Sequence, residues 1–143
     1  MTLTLEIARA MIRAILDTGA EAGMKPLSVC VVDAGGDPIA FERSDGGSPM
    51  RFAVAHGKAS GAVRMGVGSR ALFERAQAQP YFIQSMNVLA GGALVPVPGG
   101  VLIRSGGAVV GAVGVTGDTS DNDEACAVAA IEAAGFEADT GGA

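Results

Sequence analysis

The sequence contains no tryptophan, one tyrosine (Tyr81), one histidine (His56) and only two cysteines, Cys30 and Cys126, among 143 residues. A single histidine weakens multi-imidazole metal sites as well as Ser-His-Asp and Cys-His catalytic arrangements. Two isolated cysteines suit neither a zinc site nor a disulfide framework. Cys30 stands in an apolar run and Cys126 in an alanine-rich segment, so both read as small core residues, and no metal site is expected. Long apolar runs are missing too: no stretch approaches about 18 residues free of charges and glycine clusters, so no membrane span is expected. Basic residues number 10 against 15 acidic ones, for a net charge of −5. Phosphate-backbone binding needs clustered positive charge, so nucleic acid is not an expected partner. Met1 to Met11 places Glu6 before its first arginine and lacks a basic segment leading into an apolar one. A secretory leader is therefore not expected, and the expected location is the cytoplasm.

What the chain has is apolar content and glycine. Hydrophobic residues make up 49% and exclude disorder as the ground state. The length fits one domain over residues 1–143. The 22 glycines show no three-residue period, which excludes collagen. Charge is segregated. Residues 1–50 carry four basic and seven acidic groups, residues 51–104 six and one, and residues 105–143 none and seven. The basic middle and acidic end could attract each other within one chain or across a dimer, or could be solvated faces of separate helices.

Leu5, Ala8, Met11, Ile12, Ile15 and Leu16 recur at helical spacing and predict a helix from Thr4 to Ala22, ended by Gly23. Leu27–Val32 and Pro38–Arg43 flank the turn Asp33-Ala34-Gly35-Gly36-Asp37 and predict a hairpin. Ser44–Pro49 reads as a loop and Met50–Met65 as a helix broken by Gly66-Val67-Gly68. Ser69 can cap a further helix to Gln79, whereas Pro80–Ala90 reads as loop with a short helical turn. Gly91–Val97, Val101–Arg104 and Val109–Val115 read as three strands. Gly111 and Gly114 weaken the last of these unless a helix, a ligand or a second subunit must approach closely. Ser120 with Asp123 resembles a capping box opening a helix to Ala134, and Phe136–Ala143 is expected to fray. The short turns between strands require antiparallel pairing, so the fold class is α+β.

Isolated motifs are weak. Gly66-x-Gly68-x-x-Ala71 has dinucleotide-loop lettering but follows a helix instead of a strand. Asp118, Asp121, Asp123 and Glu124 would repel an anion from the last helix's start. They suit a cation, a proton acceptor or simple stabilisation of the helix dipole. His56 lies on one helical stripe with Phe52, Ala55, Ala59 and Val63, and reads as a packed histidine or a ligand. Lys58 lies about 200° around the helix from it, on a stripe with Arg51, Val54 and Met65, so the two do not serve one pocket on one face.

In combination the motifs are more specific. Ala90-Gly91-Gly92, Pro98-Gly99-Gly100-Val101, Ser105-Gly106-Gly107 and Val110-Gly111-Ala112-Val113-Gly114-Val115-Thr116-Gly117 together resemble the GlcG/HbpS/PduO C-terminal family. Asp121-Asn122-Asp123-Glu124-Ala125-Cys126-Ala127, Val32-Asp33-Ala34-Gly35-Gly36 and Lys58-Ala59 carry the same resemblance over nearly the whole chain. The resemblance implies a profilin-like fold, a five-stranded antiparallel sheet flanked by helices, and assembly into homodimers or higher homo-oligomers. Its signature positions here are Lys58, the Pro98-Gly99-Gly100 turn and Asp123-Glu124. In haem-binding members a hydroxyl residue after the lysine helix ligates iron, and Ser69 stands there in this chain. Gly61 replaces the family's usual threonine, and residues 77–88 align poorly.

Three functions follow as expectations. The first is binding of haem or a related tetrapyrrole in a cleft near a subunit interface, with Ser69 or His56 on iron and Met65 or Tyr81 as further candidates. The second is a cofactor-independent enzyme moving a proton on a small oxo- or hydroxy-acid. Lys58 would act as carboxylate binder, base or imine former, Asp123 or Glu124 as proton carrier, and the Gly99 and Gly100 N–H groups would hold an oxyanion. The third is a ligand-free accessory subunit.

Overall fold

A computed structural model describes residues 1–142. Helix α1 spans Leu5–Glu21, and the Thr4 hydroxyl accepts the Ile7 N–H at its start. Strands β1 (Ser28–Asp33) and β2 (Pro38–Arg43) form the expected hairpin. Helices α2 (Arg51–Met65), α3 (Ser69–Ala78) and α4 (Pro80–Leu89) follow. Strands β3 (Gly100–Ser105) and β4 (Ala108–Thr116), helix α5 (Ser120–Ala133) and strand β5 (Glu137–Asp139) complete the order.

The sheet runs β2-β1-β4-β3-β5, and every pairing is antiparallel. Alternation along the strands divides the core between its two faces. Val29, Val31, Val101, Ile103, Val113 and Val115 pack with α1 and α5 on one face. Cys30, Val32, Leu102 and Ala112 meet Ala55, Ala59 and Ala62 of α2 on the other. A smaller cluster of Leu72, Ile83 and Leu94 fixes α3 and α4 beside α2.

The glycines of β3 and β4 set how closely α2 docks. A Cβ at Gly114 would collide with the Ala55 carbonyl, and one at Gly100 with the Lys58 carbonyl. These two glycines are direct cross-strand partners, so together they form a bare strip on which the α2 backbone lies. The close approach anticipated for Gly114 is thus made by a helix, and no hollow remains there.

Four expectations need correction. Gly91–Val97 is not a strand: it crosses α2 on the side away from the sheet, where the Val95 N–H donates to the Gly57 carbonyl at 3.1 Å. Gly57 and Gly61 make room, because a Cβ on them would lie 2.6 Å from Val95 and 3.0 Å from Leu94. The fifth strand comes instead from the tail expected to fray, where Glu137–Asp139 pairs with the free edge of β3 and Asp139 accepts from the Arg104 guanidinium at 2.8 Å. Residues 80–89 form a full helix, with Pro80 in its first turn, where its missing N–H costs nothing. Finally, Thr119 rather than Ser120 caps α5, and Gly68 rather than Ser69 occupies the cap position of α3.

Candidate functional site: a buried lysine–aspartate pair

Lys58 projects from α2 at the end of β4, and Asp123 enters from the first turn of α5 on the opposite face of the sheet. The side chains are 3% and 2% exposed, with Nζ and Oδ2 3.5 Å apart. The lysine Nζ also donates to the Val115 carbonyl at 2.8 Å. The other Asp123 oxygen accepts the Asp118 N–H at 3.0 Å. Gly99 opens the path between the layers: at φ +127° it holds a conformation side chains disfavour, and a Cβ there would lie 2.9 Å from the lysine nitrogen. Burial lowers the lysine pKa below its ordinary value, and the Asp123 charge offsets this only partly. Burial likewise raises the Asp123 carboxyl, against the opposing pull of Lys58. Both shifts favour the neutral forms, which narrows the gap for proton sharing within the pair.

The residues around the pair are already engaged. The Ser69 hydroxyl is fully buried, accepts the Gly100 N–H at 2.7 Å and donates to the Val97 carbonyl at 2.7 Å. It thereby fastens α3 to the Pro98-Gly99-Gly100 turn, and the Gly100 N–H is committed to it instead of pointing at a ligand. Glu124 turns away from Lys58 and receives the Arg70 guanidinium at 2.9 Å, while Asp121 holds the same arginine from the other side. A surface groove of ≈ 280 Å³ lined by Arg70, Phe73, Pro98, Thr119, Ser120 and Asp121 lies beside this ion cluster. Lys58, Asp123, Ser69, Gly99 and Gly100 therefore meet around one turn, with Pro98 at its outer side. His56 and Tyr81 do not join them.

His56 is half-buried on the flank of α2, stacked on Phe52 with ring centroids 5.5 Å apart and planes within 8°. Phe41 of β2 meets Phe52 edge-on at 4.9 Å. The imidazole has no hydrogen-bond partner among the described residues. Tyr81 stands 66% exposed on α4. Met65 packs against the small cluster of Leu72, Ile83 and Leu94.

Arg70 and Arg51 were not singled out from sequence. Arg51 Nη1 donates to the Thr116 hydroxyl at 2.6 Å and adds positive charge near Lys58. The signal that could have found Arg70 was the charge segregation. Every salt bridge among the described residues joins the basic middle to the acidic end, and all do so within the chain.

A five-stranded antiparallel sheet between helical layers, clasped by a lysine and an aspartate through a Pro-Gly-Gly turn, defines a profilin-like α+β protein. Within that class the chain belongs to the HbpS-like family, described as haem-degrading protein HbpS-like, which it matches over residues 3–132. It is similar to the solved structure of HbpS at 30% identity, covering 93% of this chain and 89% of that one with a TM-score of 0.78. Protein ORFY of Klebsiella pneumoniae is similar at 26% identity, with 94% and 91% covered and a TM-score of 0.82. A PduOC–haem complex shares the fold at 23% identity, with 95% and 97% covered and a TM-score of 0.84. No curated protein matches the sequence.

Proposed function

We propose that this protein binds haem or a related tetrapyrrole, in a cleft completed near an interface between copies of the chain, with His56 as the side chain that meets the iron. The family's haem-directed description supports the ligand class. The single observation that carries the residue choice is the His56 imidazole, half-buried, without a hydrogen-bond partner among the described residues and stacked on Phe52, which Phe41 in turn meets edge-on. Such a ring keeps a lone pair for a metal, and the neighbouring aromatic faces suit a flat apolar macrocycle. Ser69 fits less well, because its hydroxyl is buried and already donates and accepts hydrogen bonds. Once bound, haem would supply an iron centre, while the chain's own residues would hold and orient it and shield it from water. Haem titration of the native protein is expected to shift the Soret band, with the shift kept in Ser69→Ala and lost in His56→Ala. No shift in the native protein, or a shift that survives both substitutions, refutes the assignment.

A second reading, proton transfer on a small oxo- or hydroxy-acid, has one observation in its favour: the 3.5 Å approach of Lys58 to Asp123 in a buried setting that brings their protonation states together. In it Lys58 and Asp123 exchange the proton, and Glu124, occupied by Arg70, takes no part. This reading requires solvent deuterium to enter a 2-oxo acid in the presence of the native protein and not of Lys58→Met.

A further inference from the structure

We propose that the N-terminal end of α2 is a binding site for a carboxylate group, formed by the Gly46-Gly47-Ser48 segment, Arg51 and the hydroxyl of Ser28. The proposal goes beyond the haem reading and stands on different side chains.

Two of the helices, α1 and α5, begin with a threonine cap and carry acidic residues in their first turns. α2 has neither: Met50 occupies the cap position without a side-chain bond, and the first turn carries Arg51 and no acid. The Arg51 N–H donates to the Ser48 carbonyl and the Val54 N–H to the Met50 carbonyl. The intervening N–H groups of Phe52 and Ala53 have no backbone acceptor among the described residues. Unpartnered N–H groups and the positive end of a 15-residue helix favour an anion.

The second observation comes from the sheet. Ser28 Oγ is the buried side-chain polar atom without a hydrogen-bond partner among the described residues. Ser28 alternates with Cys30 and Val32, whose side chains pack on the α2 face, and it pairs across the sheet with Thr116 and Arg43. The Thr116 hydroxyl is held by Arg51 of the first α2 turn, so its neighbour Ser28 is aimed at the same helix end. The Ser28 hydroxyl lies only 3.4 Å from where a Cβ on Gly47 would stand, and therefore looks onto the bare backbone leading into α2.

The charge around this point is of one sign. The Arg43 stem passes over Gly47, and Arg51 flanks the helix start. The only carboxylate of the loop, Asp45, lines a groove on the α1 side of the sheet with Leu16, Met24 and Lys25. A guanidinium, free helix N–H groups and an unpaired hydroxyl can all donate, which suits a carboxylate, and the guanidinium and the helix's positive end repel a cation. Ser28 is fully buried, so access to its hydroxyl requires the Gly46-Gly47 segment to shift.

The test uses the full 15N-labelled chain titrated with sodium acetate at constant ionic strength, read by amide chemical shifts. Saturable shifts confined to residues 46–53 and Ser28 are expected. Arg51→Gln should weaken acetate by about tenfold, as loss of a charge-assisted hydrogen bond does, and Ser28→Ala by about threefold. Ser28→Ala removes an unpaired buried hydroxyl, so it should fold even if Arg51→Gln does not. Absence of saturation overturns the proposal, and so does unchanged acetate affinity in Ser28→Ala, since a helix end alone would then account for binding. Adding haem separates the sources of the carboxylate. Displacement of acetate by haem but not by haem dimethyl ester assigns the site to a porphyrin side chain, whereas acetate bound alongside haem assigns it to a free acid; both outcomes support the site. If haem fails to bind at all, the haem reading falls and the acetate result stands by itself.

Discussion

Lys58 and Asp123 give up water to meet at 3.5 Å, a separation at which their attraction only partly offsets the desolvation of two charges. Removing one partner leaves the other buried alone, whereas removing both charges removes the desolvation cost as well. Lys58→Met is therefore expected to cost about 3 kcal/mol in urea unfolding, and Lys58→Met/Asp123→Asn to recover most of it, with Asn still accepting the Asp118 N–H. The difference should depend on pH. Asp123 has a raised folded pKa, so its contribution is present below the unfolded value near 3.8 and is lost as pH rises through the folded value. Lys58 has a lowered one, so its contribution is present above 10.5 and is lost as pH falls through the folded value. Between those limits the pair carries its full burial cost, and the double variant should compare best with the native protein near neutrality. Equal ΔΔG for the double variant at pH 4 and pH 7 would show that the charges are not what the site is paying to bury. Sequence alone placed Lys58 on a mixed helical stripe and gave no sign of its burial. That burial depends on a backbone approach that only the folded glycines make visible.

Elements were legible where a side-chain period extended over several turns or where a turn had distinctive chemistry. The α1 stripe and the β1–β2 hairpin illustrate this: Thr4 caps the one, and the Asp33 carboxylate accepts the Gly35 and Asp37 N–H groups in the other. Gly91–Val97 misled because an apolar run bounded by glycine suits a strand or an extended segment on a helix equally well. What decides is the partner, and here Gly57 and Gly61 of α2 supply it. β5 is three residues long with two acidic side chains, too short and too polar to carry a strand signal. The helix–sheet contact yields its own prediction. At Gly114 an added methyl meets the Ala55 carbonyl, which the α2 hydrogen-bond ladder holds in place, so nothing flexible can yield. Gly114→Ala should destabilise by about 3 kcal/mol or more through helix displacement, measured by urea unfolding and by loss of near-ultraviolet ellipticity. A change below about 0.5 kcal/mol would mean that α2 does not rest on the glycine strip.

At the scale of the molecule, charge segregation and apolar exposure point in different directions. The salt bridges between the basic middle and the acidic end are internal: they hold α3 to α5 and β3 to β5, and the charges in them are not available to drive assembly. Apolar surface is a better candidate for that. Tyr81, Val88 and Leu89 on α4 are 66%, 78% and 74% exposed, and an open groove of ≈ 400 Å³ lined by Ile83, Gln84, Asn87, Val88 and Pro96 adjoins them. Side chains of this size cluster on a surface where another surface covers them, and in the proposed assembly the cover is a second copy. α4 was the helix that sequence read as mostly loop, because its apolar residues face outward as well as inward and blur the 3.6-residue period. In the proposed assembly, that same double-sidedness makes α4 the expected contact. Val88→Glu/Leu89→Glu places two carboxylates in a symmetric contact, where like charges face each other across the axis, and should convert the assembly to monomers in light scattering without lowering the helical content. If the mass is unchanged, α4 lies outside the interface, and the contact that completes the His56 cleft must be sought on the flank of α2 itself, around Phe52.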